Sequence, residues 1–416
     1  MRILKLTPRT EKWLLARRAQ RDDEALSAAS EIVADVQKRG DPALFDWAKK
    51  FDDVDLARAS VWVSRREIQA AERRVSSDFV KAIKKAAKNV RSVAEKQLPR
   101  PWTIVVEPGV KISQRVSPIE CIGCYIPGGR FSLVSTLVMT VVPAKVAGVS
   151  RIVAVCPKPN PELLAAASIL GIEEIARIGG AQAIAALAYG TKSIPRVDKI
   201  FGPGNKYVTA AKQLVNGDCA IDLPAGPTEA IVLAAEGNAR WIAADLLAQA
   251  EHAVDATSFF VTTSRSLARE VQREIQWQLG ELPLGLARVS AEVAGAILIA
   301  DSLEQACEFV NRFAPEHLSL PEDAERLLRK IRSAGTVFVG PWGAQPLGDY
   351  ATGSNHVLPT GGWARTRGGL SAADFVKCIS VQTITRNGFL RLADAVETLA
   401  ESEGLMAHRN AVRVRR

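Results

Sequence analysis

Four histidines stand in a chain of 416 residues. His252, His317, His356 and His408 each lie in a polar cluster. Gln249 and His252 are three apart on an expected helix from Ala239 to about Ala253, a spacing that lets two donors reach one metal ion from one face. A polar helix end with a histidine favoured by the dipole is the plainer alternative. Glu316 and His317 follow Pro315, whose fixed φ presents the pair at a turn or helix start. A carboxyl beside an imidazole is acid–base equipment, or else a capping turn with a solvent-facing acid. The stretch from Gly348 to His356 packs Asp349, Asn355, His356 and three hydroxyls together. A loop so rich in donors and acceptors needs metal, substrate or water to satisfy it. Glu403 and His408 close the chain in what otherwise reads as a helical tail. A helix-borne Gln and His, a loop Asp and a distant His form an O,O,N,N set suited to Zn²⁺, Mn²⁺ or Co²⁺. Such a set serves hydrolysis or dehydrogenation, and spacing does not choose between them. Cys121 and Cys124 form a C-x-x-C without the second pair that a zinc site needs; on an expected strand they read as small core residues.

The elements that must hold these groups follow from hydrophobic periodicity. Residues 10–50 and 65–98 read as helical, with Ala25, Ala29, Ile32, Val33 and Val36 on a 3.6-residue period. Pro99 and Pro101 end that region. Short β-rich runs follow, at 103–106 and 119–126. A helix over 133–148 is expected to enter from the Gly128–Gly129 turn and to break near Pro143. Strands at 152–155, 175–178 and 199–201 then alternate with helices, and a second alternating block runs from 230 to about 370. Such alternation implies parallel sheets with crossovers. Residues 371–416 read as mostly helical. No G-x-G-x-x-G follows a strand and no G-x-x-x-x-G-K-S/T exists, so neither dinucleotide fingerprint nor P-loop is present. Phosphate could still dock on helix N-termini after the glycine turns at 128–129, 179–180 and 202–204.

Composition narrows the class. Hydrophobic residues are 47% and charged residues 24%, within the globular range and outside the disordered one. No stretch approaches the ~20 apolar residues of a membrane span, and the N-terminus has no signal-peptide pattern. Six cysteines are too sparse for a disulfide scaffold, so a cytoplasmic compartment is expected. The net charge of +9 is concentrated early: residues 1–100 carry 23 Lys/Arg against 15 Asp/Glu. That surplus lacks interleaved aromatics and any nucleic-acid-binding spacing, so no nucleic-acid partner is expected; a basic surface also draws in anionic cofactors.

Eight stretches, in order, resemble the histidinol dehydrogenase family over essentially the whole chain. They are GCYIPGGR (123–130), GGAQAIAALAYGT (179–191), FGPGNKYV (201–208), DLPAGPTE (222–229), QAEH (249–252), APEHL (314–318), GDYATGSNHVLPT (348–360) and EGLMAH (403–408). The resemblance implies an α/β fold of two incomplete Rossmann-like domains with parallel-type sheets and small helical N- and C-terminal tail domains, an aldehyde-dehydrogenase-like architecture. Residues 20–128 with 230–370 would carry most of the zinc and catalytic site. Residues 129–229 would bind NAD, 1–19 with 371–396 would form a small helical domain, and 397–416 would reach the partner subunit of a homodimer with shared active sites. The implied reaction is oxidation of L-histidinol to L-histidine in two NAD⁺-dependent steps through bound L-histidinal. One Zn²⁺ per subunit would be held by Gln249, His252, Asp349 and His408, with His317 and Glu316 as the catalytic bases. Substrate contacts would fall on Thr228, Gln249, His252, His317, Asp349, Glu403 and His408, and cofactor contacts on Tyr125, Gln182 and Asn205. Thr228 stands where serine is more usual, and 343–347 depart from the commoner pattern. A same-scaffold dehydrogenase of another amino or sulfonated alcohol, and a zinc hydrolase using Glu316, are the competing readings.

Overall fold

The computed structural model describes residues 1–18, 22–128, 132–223, 226–283, 285–321 and 324–416. Gly129 and Arg130 of the first motif, and Pro224 and Ala225 of the fourth, lie outside them. Three sheets are built from strands numbered β1–β14 along the chain. The largest has six strands, all parallel, in the order β1 (Arg2–Lys5), β11 (Ala296–Ile299), β10 (Thr257–Thr262), β9 (Glu229–Leu233), β12 (His317–Leu320) and β13 (Thr336–Val339). The second has five, also parallel: β6 (Ile175–Ala176), β5 (Arg151–Val155), β4 (Cys121–Tyr125), β7 (Lys199–Phe201) and β8 (Ala220–Ile221). The central strands read as unbroken apolar runs because helices cover both faces of a parallel sheet; every residue of β9 and β11 is buried. The third sheet is antiparallel: β2 (Trp102–Glu107), β3 (Val110–Pro118) and β14 (Val376–Ile384).

Both parallel sheets are doubly wound. The chain runs from β4 outward through β5 to β6, then returns to the other side with β7 and β8. The order therefore reverses between β4 and β7, and ligand crevices form at such switch points beyond the carboxyl ends of the strands. Gly202, at the end of β7, crosses there with φ 113° so close that a Cβ would lie 2.1 Å from the Tyr125 carbonyl oxygen. Only glycine fits this crossing.

Several expected boundaries move. Residues 10–50 are divided into helices Pro8–Arg18, Asp23–Arg39 and Asp41–Trp47 and a π-helical turn, Ala48–Asp52. The 20–128 segment was expected to accompany 230–370, but its helices pack on the five-stranded sheet. Ala29, Ile32 and Val36 share a core with Val153, Ile184 and Ile200, and Ile68, Ile83 and Val90 share another with Ile122, Leu137 and Ile152. The segment 1–19 opens with β1, an edge strand of the six-stranded sheet, rather than joining a helical tail. Within the tail expected to be mostly helical, Val376–Ile384 is instead a nine-residue strand rich in β-branched residues that pairs along the whole of β3. Helices Arg386–Ser402 and Met406–Arg413 follow it.

Pro143 does not break its helix, which runs Val134–Ala147. Proline removes the N–H that would bond the carbonyl four residues earlier. Here the side-chain amide of Asn355 donates to that carbonyl, Met139 O, at 2.7 Å. The missing bond is thus replaced by one from the polar loop.

Candidate active site

The first residues of neighbouring parallel strands build the site. His317 opens β12 and is in register with Ala230 of β9, which brings Glu316 beside Thr228 and Glu229. The Glu229 amide N–H donates to Glu316 Oε2 at 2.9 Å, and the Thr228 hydroxyl donates to the same oxygen. Thr228 Oγ1 in turn accepts from Gln249 Nε2 at 2.5 Å, and Gln249 Oε1 accepts from Gln345 Nε2. This relay has one direction, because a carboxylate only accepts and each amide has a distinct donor end. It fixes the rotamers of Glu316, Thr228 and Gln249 together.

His317 lies between two carboxylates. Its Nδ1 is 3.7 Å from Glu316 Oε2 and its Nε2 is 3.5 Å from Asp349 Oδ1. The ring is buried, and neither nitrogen has a hydrogen-bond partner among the described residues. Burial pushes the imidazole pKa down, but Glu316 and Asp349 outweigh it and the net shift is upward. Burial pushes the Asp349 carboxyl up, and His317 outweighs it, so Asp349 sits below the usual carboxylate range. Asp349 lies in the short helix Gln345–Tyr350, and its carbonyl is bonded by His356 Nδ1 at 2.9 Å. His356 Nε2 meets Thr136 Oγ1 at 3.3 Å, so this half-buried imidazole ties the Asp349 loop to helix Val134–Ala147. Burial lowers its pKa.

The backbone before His317 is held in a strained form. Ala314 has φ 52°, a left-handed conformation uncommon for a residue with a Cβ. It ends helix Leu303–Phe313, so the expected turn at Pro315 leads into a strand rather than a helix. Arg18 holds it: Nη2 donates to Ala314 O at 2.9 Å, while Nε and Nη2 grip Glu229 Oε1 and Oε2, each at 2.5 Å. The guanidinium also sits 4.0 Å above the Phe313 ring. Burial pushes the Glu229 carboxyl up to about 7 against the pull of Arg18.

Three of the four expected metal donors, Gln249, His252 and Asp349, are linked through Gln345 and through charge rather than by direct contact. Gln249 is buried near the end of helix Ala239–Ala250, and Gln345, which touches it, opens the helix that bears Asp349. That helix ends at Ala250, earlier than expected, so His252 stands exposed in the following turn, where its charge acts on Asp349. The fourth, His408, is exposed on helix Met406–Arg413, which packs on Arg386–Ser402, and Glu403 is exposed beside it. Among the described residues of one chain, no three His, Cys, Asp or Glu side chains gather to hold a metal. The amide oxygen of Gln249, the His252 imidazole and the Asp349 carboxylate suit a borderline divalent ion chemically, with one donor lacking.

The expected cofactor residues lie at the other sheet's switch point. Tyr125 ends β4 and its hydroxyl accepts the Gly180 N–H at 3.1 Å. Gln182 is buried two residues into the same helix, Gly180–Tyr189. Asn205 caps helix Lys206–Val215, its Oδ1 accepting from the Tyr207 and Val208 amides at 3.1 Å. A buried ion pair, Lys212 to Asp222, braces that turn: Lys212 Nζ donates to Gly202 O at 2.9 Å and Asp222 Oδ2 accepts the Gly202 N–H at 2.8 Å. Cys124 is buried and its thiol is pushed up to about 12 by burial, in keeping with a core role.

Two doubly wound sheets, one carrying a carboxylate–imidazole–carboxylate line and the other a tight glycine turn beyond β7, define a two-sheet α/β enzyme with acid–base groups gathered on one sheet. The family model described as histidinol dehydrogenase matches residues 15–416. The histidinol dehydrogenase of Bacillus thuringiensis subsp. konkukian is 47% identical over 392 residues, covering 92% of this chain and 91% of that protein. That of Methanosarcina mazei is 44% identical over 396 residues, covering 93% and 90%. The crystal structure of histidinol dehydrogenase from Elizabethkingia anophelis matches with TM-score 0.94 at 38% identity, covering 100% of this chain and 98% of that one. The chain belongs to the histidinol dehydrogenase family, and with it to the oxidoreductases of histidine biosynthesis.

Proposed function

We propose that this protein is a cytoplasmic, zinc- and NAD-dependent dehydrogenase that converts L-histidinol to L-histidine by two successive two-electron oxidations through enclosed L-histidinal. The observation that supports it most is the His317 imidazole, buried between Glu316 and Asp349 with both ring nitrogens unbonded among the described residues. A proton acceptor must sit beside each carbon that loses hydride, and here two acceptors are adjacent.

Gln249, His252 and Asp349 would hold the zinc, with His408 supplied by a second copy of the chain. When bound, zinc supplies a positive centre for the amine and imidazole nitrogens of the substrate, and NAD supplies the hydride acceptor. His317 takes the hydroxyl proton of the alcohol on a ring nitrogen, and the flanking carboxylates favour the imidazolium that results. Glu316 then draws a proton from the water that adds to the aldehyde. Its Oε2 is already bound by Thr228 and Glu229, which leaves Oε1 to face that water. Thr228 spends its hydroxyl on Glu316, so its contribution to substrate binding is through its methyl and through the alignment of that base. Glu403 would join the substrate contacts from the second copy, and Tyr125, Gln182 and Asn205 would line the NAD crevice.

Exposed apolar side chains on the antiparallel sheet and tail support the homodimer. Trp102, Ile104 and Val106 of β2, with Leu399 and Met406, all lie open to solvent in the single chain. The test is spectrophotometric: histidinol with NAD⁺ should give NADH and histidine at about 2:1 by the two-step scheme. A chelator should abolish turnover and added zinc restore it. Glu316→Gln should keep its metal and lose at least ~100-fold in kcat. Absence of NADH from zinc-loaded protein would remove the reading.

A further inference from the structure

Gln345, in the stretch 343–347 that departs from the commoner pattern, is buried to 1% exposure with its side chain against an expected metal donor. It opens the short helix Gln345–Tyr350, whose N-cap, Ala344, has no side chain to bond the first amides. Orphaned amides at a helix start need partners from elsewhere. Asp245, on helix Ala239–Ala250, supplies one: its carboxylate accepts the Gln345 backbone N–H. Burial pushes that carboxyl up to about 6, and among the described residues the Gln345 N–H is the group that draws it down.

The same residue makes a second bond to the same helix. Gln345 Nε2 donates to Gln249 Oε1, and Gln249 stands one turn after Asp245. Main chain and side chain of Gln345 thus clip the two helices together at two points. The polarity is forced. Thr228 gives its hydroxyl hydrogen to Glu316, so toward Gln249 it can only accept. The Gln249 NH₂ therefore faces Thr228 and its oxygen faces Gln345. An amide NH₂ offers a metal only hydrogens, whereas the oxygen has two lone pairs. Gln345 takes one and leaves the other open. A single bond at the nitrogen would let the amide swing about it; the second bond, at the oxygen, fixes its plane.

We propose that Gln345 is a positioning residue for the metal site: anchored by Asp245, it fixes the Gln249 oxygen as a zinc donor and keeps the helix that bears Asp349 beside it. This rests on the zinc reading above and deepens it. Two donors then depend on one side chain that does not itself ligate, Gln249 through its amide and Asp349 through the helix that Gln345 opens. Partners one step removed from a metal orient its ligands, and losing one weakens binding without removing any donor.

The test is the zinc affinity of the full chain, stripped with a chelator and titrated with Zn²⁺ against a chromophoric competitor. The unaltered protein is compared with Gln345→Met, which keeps the length and removes the donor, and with Asp245→Leu, which frees Gln345 from its anchor. Gln345→Met should bind zinc about 10–100-fold more weakly, and Asp245→Leu should shift the same way by a smaller factor. Circular dichroism melting checks that each variant is folded, and Asp245→Leu carries the test if Gln345→Met does not fold. Zinc affinity within about two-fold of the unaltered protein in folded Gln345→Met, whatever its melting temperature, would mark the side chain as packing alone. That result overturns the proposal and leaves the zinc reading standing. An unaltered protein that binds no zinc overturns both.

Discussion

At the scale of single residues, chemistry here depends on side chains that never meet substrate. Arg18 is the clearest case. It grips Glu229 through both guanidinium edges and holds the carbonyl of left-handed Ala314, two residues before the base pair Glu316–His317. Both partners are almost wholly buried, at 6% and 3% exposure. Removing one member of such a pair strands a charge in a low-dielectric site. Arg18→Met should therefore cost about 3–5 kcal/mol in urea unfolding at pH 8 and lower kcat more than KM. Adding Glu229→Gln should recover most of the stability. A loss below ~1 kcal/mol would mean that the pair behaves as an exposed one. The sequence made Glu316, His317, Asp349 and Gln249 visible because their polar character clusters within short runs. Arg18 carried no such signal: it works through a partner 211 positions away, and only the fold joins them. Gln345 stayed hidden for the same reason, its amide serving Gln249 from a different helix.

Elements show why some of the fold was legible and some was not. Strands with unbroken apolar runs, such as Ala230–Leu233 and Ile152–Val155, announced parallel sheets through composition alone. The strand Val376–Ile384 did not, because it is exposed along its length and pairs with a segment far earlier in the chain. Pro143 reads as a helix breaker until Asn355 supplies the donor that proline lacks. Domain grouping failed to follow chain order because helices 23–97 cover the sheet that comes after them rather than the one after that. The glycine crossing just beyond β7 is the tightest element-level constraint. In Gly202→Ala the added Cβ must displace the Tyr125 carbonyl or the whole β7 turn. The expected outcome is a loss of about 2 kcal/mol or more in stability, together with weaker dinucleotide binding. Unaltered binding and stability would mean that the turn can relax at no cost.

For the whole molecule, the decisive question is where the fourth donor comes from. Gln249, His252 and Asp349 belong to one neighbourhood, whereas His408 and Glu403 are exposed on a tail that packs on its own preceding helix. The proposed site shared between two copies would reconcile these positions. Glu316→Gln and His408→Asn chains, each inactive alone, should regain part of the activity when refolded together, because the mixed dimer holds one site free of both lesions. A mixture as inert as its parents, with heterodimers demonstrated by mass, would argue for a tail that serves its own chain. The edge strand β1 carries a different consequence. Arg2–Lys5 pair with residues 296–299, so β1 finds its partner strand only after almost 300 further residues have been made. The five-stranded unit, complete by residue 221, can finish first during synthesis and offer a scaffold. A bulky fusion ahead of β1 would then burden a late docking event, while the five-stranded sheet would already have formed.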